Sequence, residues 1–130
     1  MVESWKISFA DLESALERFQ EVMEIPLSAN TLVVDAAMQR FEFTFELFWK
    51  NLKHLLATEG KETTFPKEAL REAYAGRWIE DETLWLKMLQ DRNLTSHTYR
   101  QDLAKEIYGR LPSYLAAMLK ARDKLKDKFV

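Results

Sequence analysis

The sequence contains no cysteine, only three glycines and only three prolines among 130 residues. The absence of cysteine excludes disulfides, thiol catalysis and thiolate metal sites. The scarcity of glycine and proline favours long helices, because these residues form most of the turns between strands. No stretch reaches the roughly 18 to 20 apolar residues of a membrane-spanning helix. Residues 1–10 include Glu3 and Lys6 and lack the apolar run of a secretory signal, so we expect a cytoplasmic protein.

Length and charge are those of an ordinary globular protein. The 130 residues suffice for one domain with a hydrophobic core, which we assign to residues 1–130. Apolar residues make up 47% and charged residues 31%, a balance that argues against disorder. The net charge of −2 does not direct the protein to nucleic acid, but it leaves room for a small basic site.

Apolar residues recur at helical spacing in five segments, which predicts an all-α, antiparallel up-and-down bundle of about five helices. Ser8 is the expected N-cap of the first helix, which stops just before Pro26. The second helix is the longest and should run from a cap at Asn30 to a stop at Gly60.

The third and fourth helices have clear start and stop signals. The third should cover Pro66 to Ala75, because proline is favoured in a first turn, and should end at Gly76. The fourth should start near Asp81 and end near Asn93 or Leu94.

In the last segment an apolar stripe continues from Leu103 to Phe129, but Gly109 and Pro112 should break or bend the helix. Its end is rich in cations and is interpreted as a solvated helix terminus, not as an RNA-binding surface. These cations are Lys120, Arg122, Lys124, Lys126 and Lys128.

The second helix has two apolar faces. The aromatic residues Phe41, Phe45 and Phe48 lie on the first face and should enter the core. A helix with a second apolar face needs a second partner, so this face predicts a homodimer. The second face consists of Val33, Ala36, Phe43, Leu47 and Trp49.

Residues 91–99, which lie between two apolar helices, are rich in hydrogen-bonding side chains. Arg92 and His97 are five positions apart and would point about 140° apart on one continuous helix. The helix must therefore end or tighten if the two side chains are to converge. The polar residues Asn93 and Ser96 favour such an ending.

The residue types in this segment suit reactions on phosphate. Imidazole titrates near pH 6.5, so a histidine such as His97 can exchange protons at neutral pH. Arg92 can hold phosphate through two hydrogen bonds and stabilise charge in a transition state. The pair could thus cleave RNA without a metal. In the alternative interpretation, Arg92 binds carbonyls at the helix end and His97 packs in a turn.

The pattern Arg92-x4-His97-x-Tyr99 resembles the R-x4-H-x-Y signature of the HEPN superfamily, in its nucleotidyltransferase substrate-binding branch with HepT-like toxins. Residues 39–50 resemble the long aromatic helix of that branch, and residues 106–108 resemble part of its C-terminal half. The resemblance extends from about residue 9 to residue 125.

This resemblance implies a homodimer whose paired motifs face a cleft, together with a separate minimal nucleotidyltransferase. In toxin–antitoxin pairs of this kind, the helical protein is a ribonuclease that the nucleotidyltransferase silences by adding AMP to the motif tyrosine. Arg92 and His97 would then be catalytic, Asn93 and Ser96 supporting, and Tyr99 the modified residue.

The chain lacks the Gly-Ser and paired-Asp pattern of a nucleotidyltransferase, so it would be the partner and not the transferase. We expect it to use no metal and no cofactor. A noncatalytic scaffold that binds nucleotide or substrate for the transferase is the alternative function.

Overall fold

The computed structural model describes residues 4–27 and 32–130, and within these ranges it contains five α-helices and no strand. A 3₁₀ turn, Thr95–His97, joins the last two helices, and the predicted all-α bundle is confirmed. None of the helices in these ranges is long and apolar enough to cross a membrane. The helices are α1 (Ser4–Met23), α2 (Leu32–Thr58), α3 (Pro66–Ala75), α4 (Glu82–Leu94) and α5 (Gln101–Phe129).

Helix α2 lies at the centre of the bundle and packs against the other four helices. As predicted, Phe41, Phe45 and Phe48 are completely buried. Phe48 meets Trp85 of α4 edge-on, with ring centroids 4.8 Å apart, and Phe41 stacks on Tyr114 of α5 at 5.5 Å. Such aromatic pairs contribute about 0.5–1.5 kcal/mol beyond burial. They therefore fix α4 and α5 relative to α2.

Local capping explains why α3 and α4 start where the sequence predicts. Pro66 occupies the first turn of α3, where no N–H is required. The Glu68 carboxylate accepts a hydrogen bond from the Phe65 N–H at 3.1 Å. Asp81 caps α4, with its Oδ1 accepting from the Leu84 N–H at 3.1 Å.

The helix ends also follow the sequence. Gly60 adopts a left-handed φ of 81° just after α2, the conformation that makes glycine a good helix stop. Gly76 follows the last residue of α3, and the left-handed residue there is Arg77 with φ 63°. Helix α4 ends at Leu94, as predicted. Asn30, the predicted cap of α2, lies outside the described residues.

Ser8 is not the N-cap of α1, because the helix begins one turn earlier, at Ser4. The reason lies in Trp5, which is buried and packs against Phe129 at the end of α5, with ring centroids 6.0 Å apart. The apolar face of α1 thus extends beyond Phe9 towards the N-terminus, and packing overrides the local capping signal of Ser8.

Helix α5 runs unbroken through Gly109 and Pro112, so the predicted break is wrong. Both residues are exposed, whereas Leu111 and Tyr114 on either side of Pro112 are completely buried. A proline inside a helix costs about 3 kcal/mol. Burial of a single large apolar side chain returns about 1.5–3 kcal/mol, so a continuous buried stripe outweighs the proline.

The second apolar face of α2 is only partly open to a partner. Val33 and Trp49 are buried in the hydrophobic core of their own chain. The apolar surface available to a second subunit is therefore narrower than the sequence predicts. Its half-buried members are Ala36, Phe43 and Leu47.

Candidate functional site

The end of α4 tightens, as predicted, into the 3₁₀ turn Thr95–His97. Two threonine hydroxyls fix this turn. The Thr95 Oγ1 donates to the carbonyl of Arg92 at 2.7 Å, and the Thr98 Oγ1 donates to the carbonyl of Thr95 at 2.9 Å. The Thr95 hydroxyl thus binds one of the last carbonyl groups of α4, and the Thr98 hydroxyl binds a carbonyl of the turn.

The guanidinium of Arg92 is half-buried and faces α2. Its Nη2 donates to the carboxylate of Glu46, and its Nη1 donates to the Asn93 Oδ1 at 3.0 Å. Glu46 in turn accepts from the Trp49 indole N–H at 3.1 Å, and the Lys50 Nζ lies 3.8 Å away. Arg92 is therefore held in one orientation, and Glu46 balances its charge.

His97 and Tyr99 lie on the surface beside each other. Their ring centroids are 6.1 Å apart in an edge-to-face arrangement, and Tyr99 is 79% exposed. Ser96 is also exposed. Among the described residues, Arg92 and His97 form no hydrogen bond with each other, so each side chain can contact a ligand separately. The structure thus brings His97 and Tyr99 together and holds Arg92 against α2.

A buried ionic network lies next to Arg92 in the chain. The carboxylate of Asp91 is completely buried. It accepts from the Arg110 Nε at 2.7 Å, from the Arg110 Nη2 at 2.9 Å and from the Tyr114 hydroxyl at 2.5 Å. The hydrogen bonds to Asp91 raise the pKa of Arg110. Burial, followed by the bond to Asp91, raises the pKa of Tyr114.

A sequence signal for this network exists. Trp85, Met88 and Asp91 are spaced three apart and are the buried residues of α4, so an acid continues an apolar stripe. Arg110 and Tyr114 lie four apart on α5, which puts both on the face that meets α4. An acid at a core position needs such partners, because an unpaired buried charge is strongly unfavourable.

Asn93 also lines a shallow open groove with Lys67, Lys87 and Gln90. The Lys87 Nζ donates to the Gln90 Oε1 at 3.2 Å. Within residues 4–27 and 32–130, neither lysine has a carboxylate partner. Their positive charge is therefore available beside the residue that contacts Arg92.

The second histidine and the cations at the end of α5 have the contacts of ordinary structural residues. His54 is half-buried on α2, like an ordinary, partly packed helix residue. The cations at the end of α5 form ion pairs with carboxylates: Lys120 and Lys124 with Glu80, Lys126 with Glu13, Lys128 with Glu59, and Arg122 with Asp123. In the described part of the chain, no three acidic or histidine side chains are grouped to hold a metal ion.

These features define a class of protein: an all-helical bundle with an arginine, a histidine and an exposed tyrosine at the connection between its last two helices. The family described as "Nucleotidyltransferase substrate binding protein like" matches residues 6–127. The chain therefore belongs to this family, and the predicted family membership is confirmed.

Known relatives agree with this assignment. The chain is 34% identical over 98 residues to a probable ribonuclease HepT of Haemophilus influenzae, and the match covers 72% of this chain. It covers 66% of that relative, so the chain spans just under two thirds of the relative's length.

Two solved structures share the fold. A protein from Thermus thermophilus has 40% sequence identity and a TM-score of 0.81, covering 88% of this chain and 98% of that one. A Haemophilus influenzae protein has 27% identity and a TM-score of 0.70, covering 94% and 96%. The second structure is described as revealing the fold of a substrate binding domain of a nucleotidyltransferase.

Proposed function

We propose that this chain is the helical partner of a separate minimal nucleotidyltransferase and that its Arg92–His97–Tyr99 segment cleaves RNA without a metal ion. The observation that carries the proposal is the surface placement of His97 and Tyr99 on the turn that follows a fixed Arg92. In this proposal the protein is a cytoplasmic homodimer and the toxin of a toxin–antitoxin pair.

The chemistry requires only these side chains and RNA. The 2′-oxygen of a ribose attacks the adjacent phosphorus, and the bond from phosphorus to the 5′-oxygen breaks. His97 takes the proton from the 2′-hydroxyl as general base, or gives one to the leaving 5′-oxygen as general acid. In a homodimer, the second motif supplies a second histidine for the other role. Arg92 stabilises the negative charge that grows on the phosphate oxygens.

Arg92 can contact RNA while it stays in place. A guanidinium has five N–H donors, and the hydrogen bonds to Glu46 and Asn93 use two of them. The remaining donors are sufficient for phosphate. Lys67 and Lys87, in the groove beside Asn93, add positive charge that attracts the neighbouring phosphates of an RNA strand.

The nucleotidyltransferase partner is supported by the family and by the exposure of Tyr99. A phenol that is 79% exposed is accessible to an enzyme that transfers AMP from ATP. Adenylate on Tyr99 would place a phosphate and a bulky nucleoside close to His97, whose ring centroid is 6.1 Å away. Repulsion and steric overlap would then exclude an RNA phosphate from the site.

The alternative is a noncatalytic scaffold that holds a nucleotide or substrate for the transferase. The description of the Haemophilus influenzae structure as a substrate binding domain supports it. The ion pair between Arg92 and Glu46 supports it too, because a partly neutralised arginine stabilises the charge of a transition state less strongly than a free one. The same side chains would then bind without turnover.

One experiment separates these functions. The purified protein is incubated with RNA and a chelator, before and after treatment with ATP and the proposed nucleotidyltransferase partner. A silenced ribonuclease cleaves before treatment and stops afterwards. A scaffold cleaves in neither case. Cleavage that continues unchanged after treatment contradicts the proposed silencing.

A further inference from the structure

The buried network of Asp91, Arg110 and Tyr114 takes no part in the proposed chemistry. Asp91 is nevertheless next in the chain to Arg92, which does take part. We propose that these three residues form a clamp that positions Arg92 and the following 3₁₀ turn for reaction with RNA. They are positioning residues, since none of them needs to touch the substrate. This inference rests on the proposed ribonuclease function, and it names three further residues on which that function depends.

The clamp acts on the last turn of α4. Neighbouring residues on a helix point about 100° apart. Asp91 can therefore face α5 while Arg92 faces α2, and each forms an ion pair with the helix that it faces. Two ion pairs on adjacent residues fix the rotation of the helix end. The direction in which Arg92 and the turn Thr95–His97 project is thereby fixed as well.

The hydrogen bonds to Asp91 restrict the position of α4 more than apolar packing alone would. Arg110 binds both carboxylate oxygens in the fork geometry, and Tyr114 adds a third hydrogen bond to the same group. Tyr114 is itself fixed, because its ring stacks on Phe41 with the planes only 25° apart. A sideways shift of α4 would break all three bonds, whereas apolar packing tolerates small shifts.

Stability alone does not require an ionic network at this position. Replacing a buried ion pair by apolar residues of similar volume often leaves stability unchanged or raises it. The stripe formed by Trp85 and Met88 would accept an apolar third member in place of Asp91. The positioning proposal therefore predicts that an apolar replacement of the network preserves the fold and impairs the site.

The test uses two variants and a matched control in the full chain. The triple variant Asp91→Leu, Arg110→Leu, Tyr114→Phe replaces the network by apolar side chains. Tyr114→Phe alone removes one hydrogen bond and keeps the ring stack. The control, Thr44→Val, removes a buried hydroxyl that donates to the carbonyls of Ala15 and Arg40 at the interface of α1 and α2.

Two readouts are compared: hydrogen–deuterium exchange of residues 92–100, and kcat and KM for RNA cleavage. In the triple variant we expect exchange to become faster and kcat to fall, each by about tenfold or more. KM should change by less than about threefold. Tyr114→Phe should change both in the same directions by about threefold. Thr44→Val should leave both at wild-type values.

Wild-type exchange of residues 92–100 and wild-type kcat in a folded triple variant would overturn the proposal. If the triple variant does not fold, Tyr114→Phe decides alone, and unchanged exchange and kcat in that variant overturn it too. If the wild-type protein cleaves no RNA, the proposed function fails. The exchange measurement then still confirms or overturns the clamp by itself.

Discussion

Arg92 of α4 forms an ion pair with Glu46 of α2, a residue 46 positions earlier in the chain. Spacing alone would pair Glu46 with Lys50 one turn later, and the structure contains that contact as well, at 3.8 Å. The arginine of the motif is thus oriented by a carboxylate on the central helix. Any phosphate that binds Arg92 must share it with Glu46.

Replacing Glu46 by glutamine should strengthen RNA binding. The substitution removes a negative charge beside the phosphate site, and two unit charges about 4 Å apart in water interact by about 1 kcal/mol. We expect Glu46→Gln to tighten binding by about fivefold and to change the free energy of unfolding by less than about 1 kcal/mol. Fluorescence anisotropy with RNA methylated at its 2′-hydroxyls measures binding without cleavage.

Glu42→Gln is the matched control for this measurement. Glu42 lies one turn earlier on α2, is exposed and has no ion pair among the residues that the structure describes. The two variants have the same net charge, so a general electrostatic effect would tighten binding equally in both. Equal affinities would contradict a specific role of Glu46 at Arg92.

Modification by the proposed nucleotidyltransferase partner should fall on Tyr99. Its phenol is 79% exposed, whereas Tyr114 is completely buried and cannot be reached in the folded chain. After incubation with the partner nucleotidyltransferase and ATP, peptide mass spectrometry should find the mass of an adenylate on Tyr99. Tyr99→Phe should abolish the addition. Adenylate on Tyr74 or Tyr108 in place of Tyr99 would refute this assignment.

The chain should form a homodimer through α2 and the motif segment. Light scattering should give twice the chain mass of 15.4 kDa at micromolar concentration. Leu47→Glu introduces a charge on the half-buried outer face of α2 and should give the mass of a monomer. Phe65→Glu, at an apolar residue that is 65% exposed before α3, is the control and should remain dimeric. A monomeric wild-type protein would contradict the prediction.

The raised pKa of Tyr114 predicts an alkaline loss of stability. The phenol of the unfolded chain loses its proton near pH 10, whereas burial and Asp91 keep that of the folded chain protonated to higher pH. The contribution of Tyr114 is therefore intact below about pH 10 and is lost as pH rises through the folded-state pKa. The decline is about 1.4 kcal/mol per pH unit in this interval.

Tyr114→Phe isolates this effect. At pH 7 the variant should be less stable than wild type by about 2 kcal/mol, because it lacks a hydrogen bond to a charged group. Urea unfolding between pH 7 and pH 11 should show the difference narrowing above about pH 10. A difference that stays constant across this range would mean that Tyr114 does not titrate as its burial predicts.

Much of the fold could be predicted from local patterns. The bounds of α3 and the start of α4 near Asp81 follow from residues within one turn, and both predictions are confirmed. The predictions were wrong where contacts between residues far apart in the sequence determine the bounds of a helix. Helix α1 extends beyond Ser8 because Trp5 packs on the end of α5, and α5 continues through Pro112 because its buried stripe is continuous.

In the candidate site, too, local features could be predicted from the sequence and contacts between helices could not. The tightening of the chain after Arg92 could be predicted from the angular separation of Arg92 and His97 on a helix. The partners of Arg92 and Asp91 could not be predicted in this way. Glu46, the partner of Arg92, and Arg110, the partner of Asp91, lie on other helices, and spacing within one helix carries no information about them. The roles of His97 and Tyr99 remain predictions.

The central claim is that Arg92 and His97 cleave RNA without a metal. The most direct test measures RNA cleavage in excess chelator by wild type, Arg92→Ala and His97→Ala. Arg92 is half-buried and His97 exposed, so neither substitution opens a core cavity, and circular dichroism should show an unchanged fold. We predict cleavage by wild type and none by either variant. Equal cleavage by all three proteins, or none by wild type, would contradict the claim.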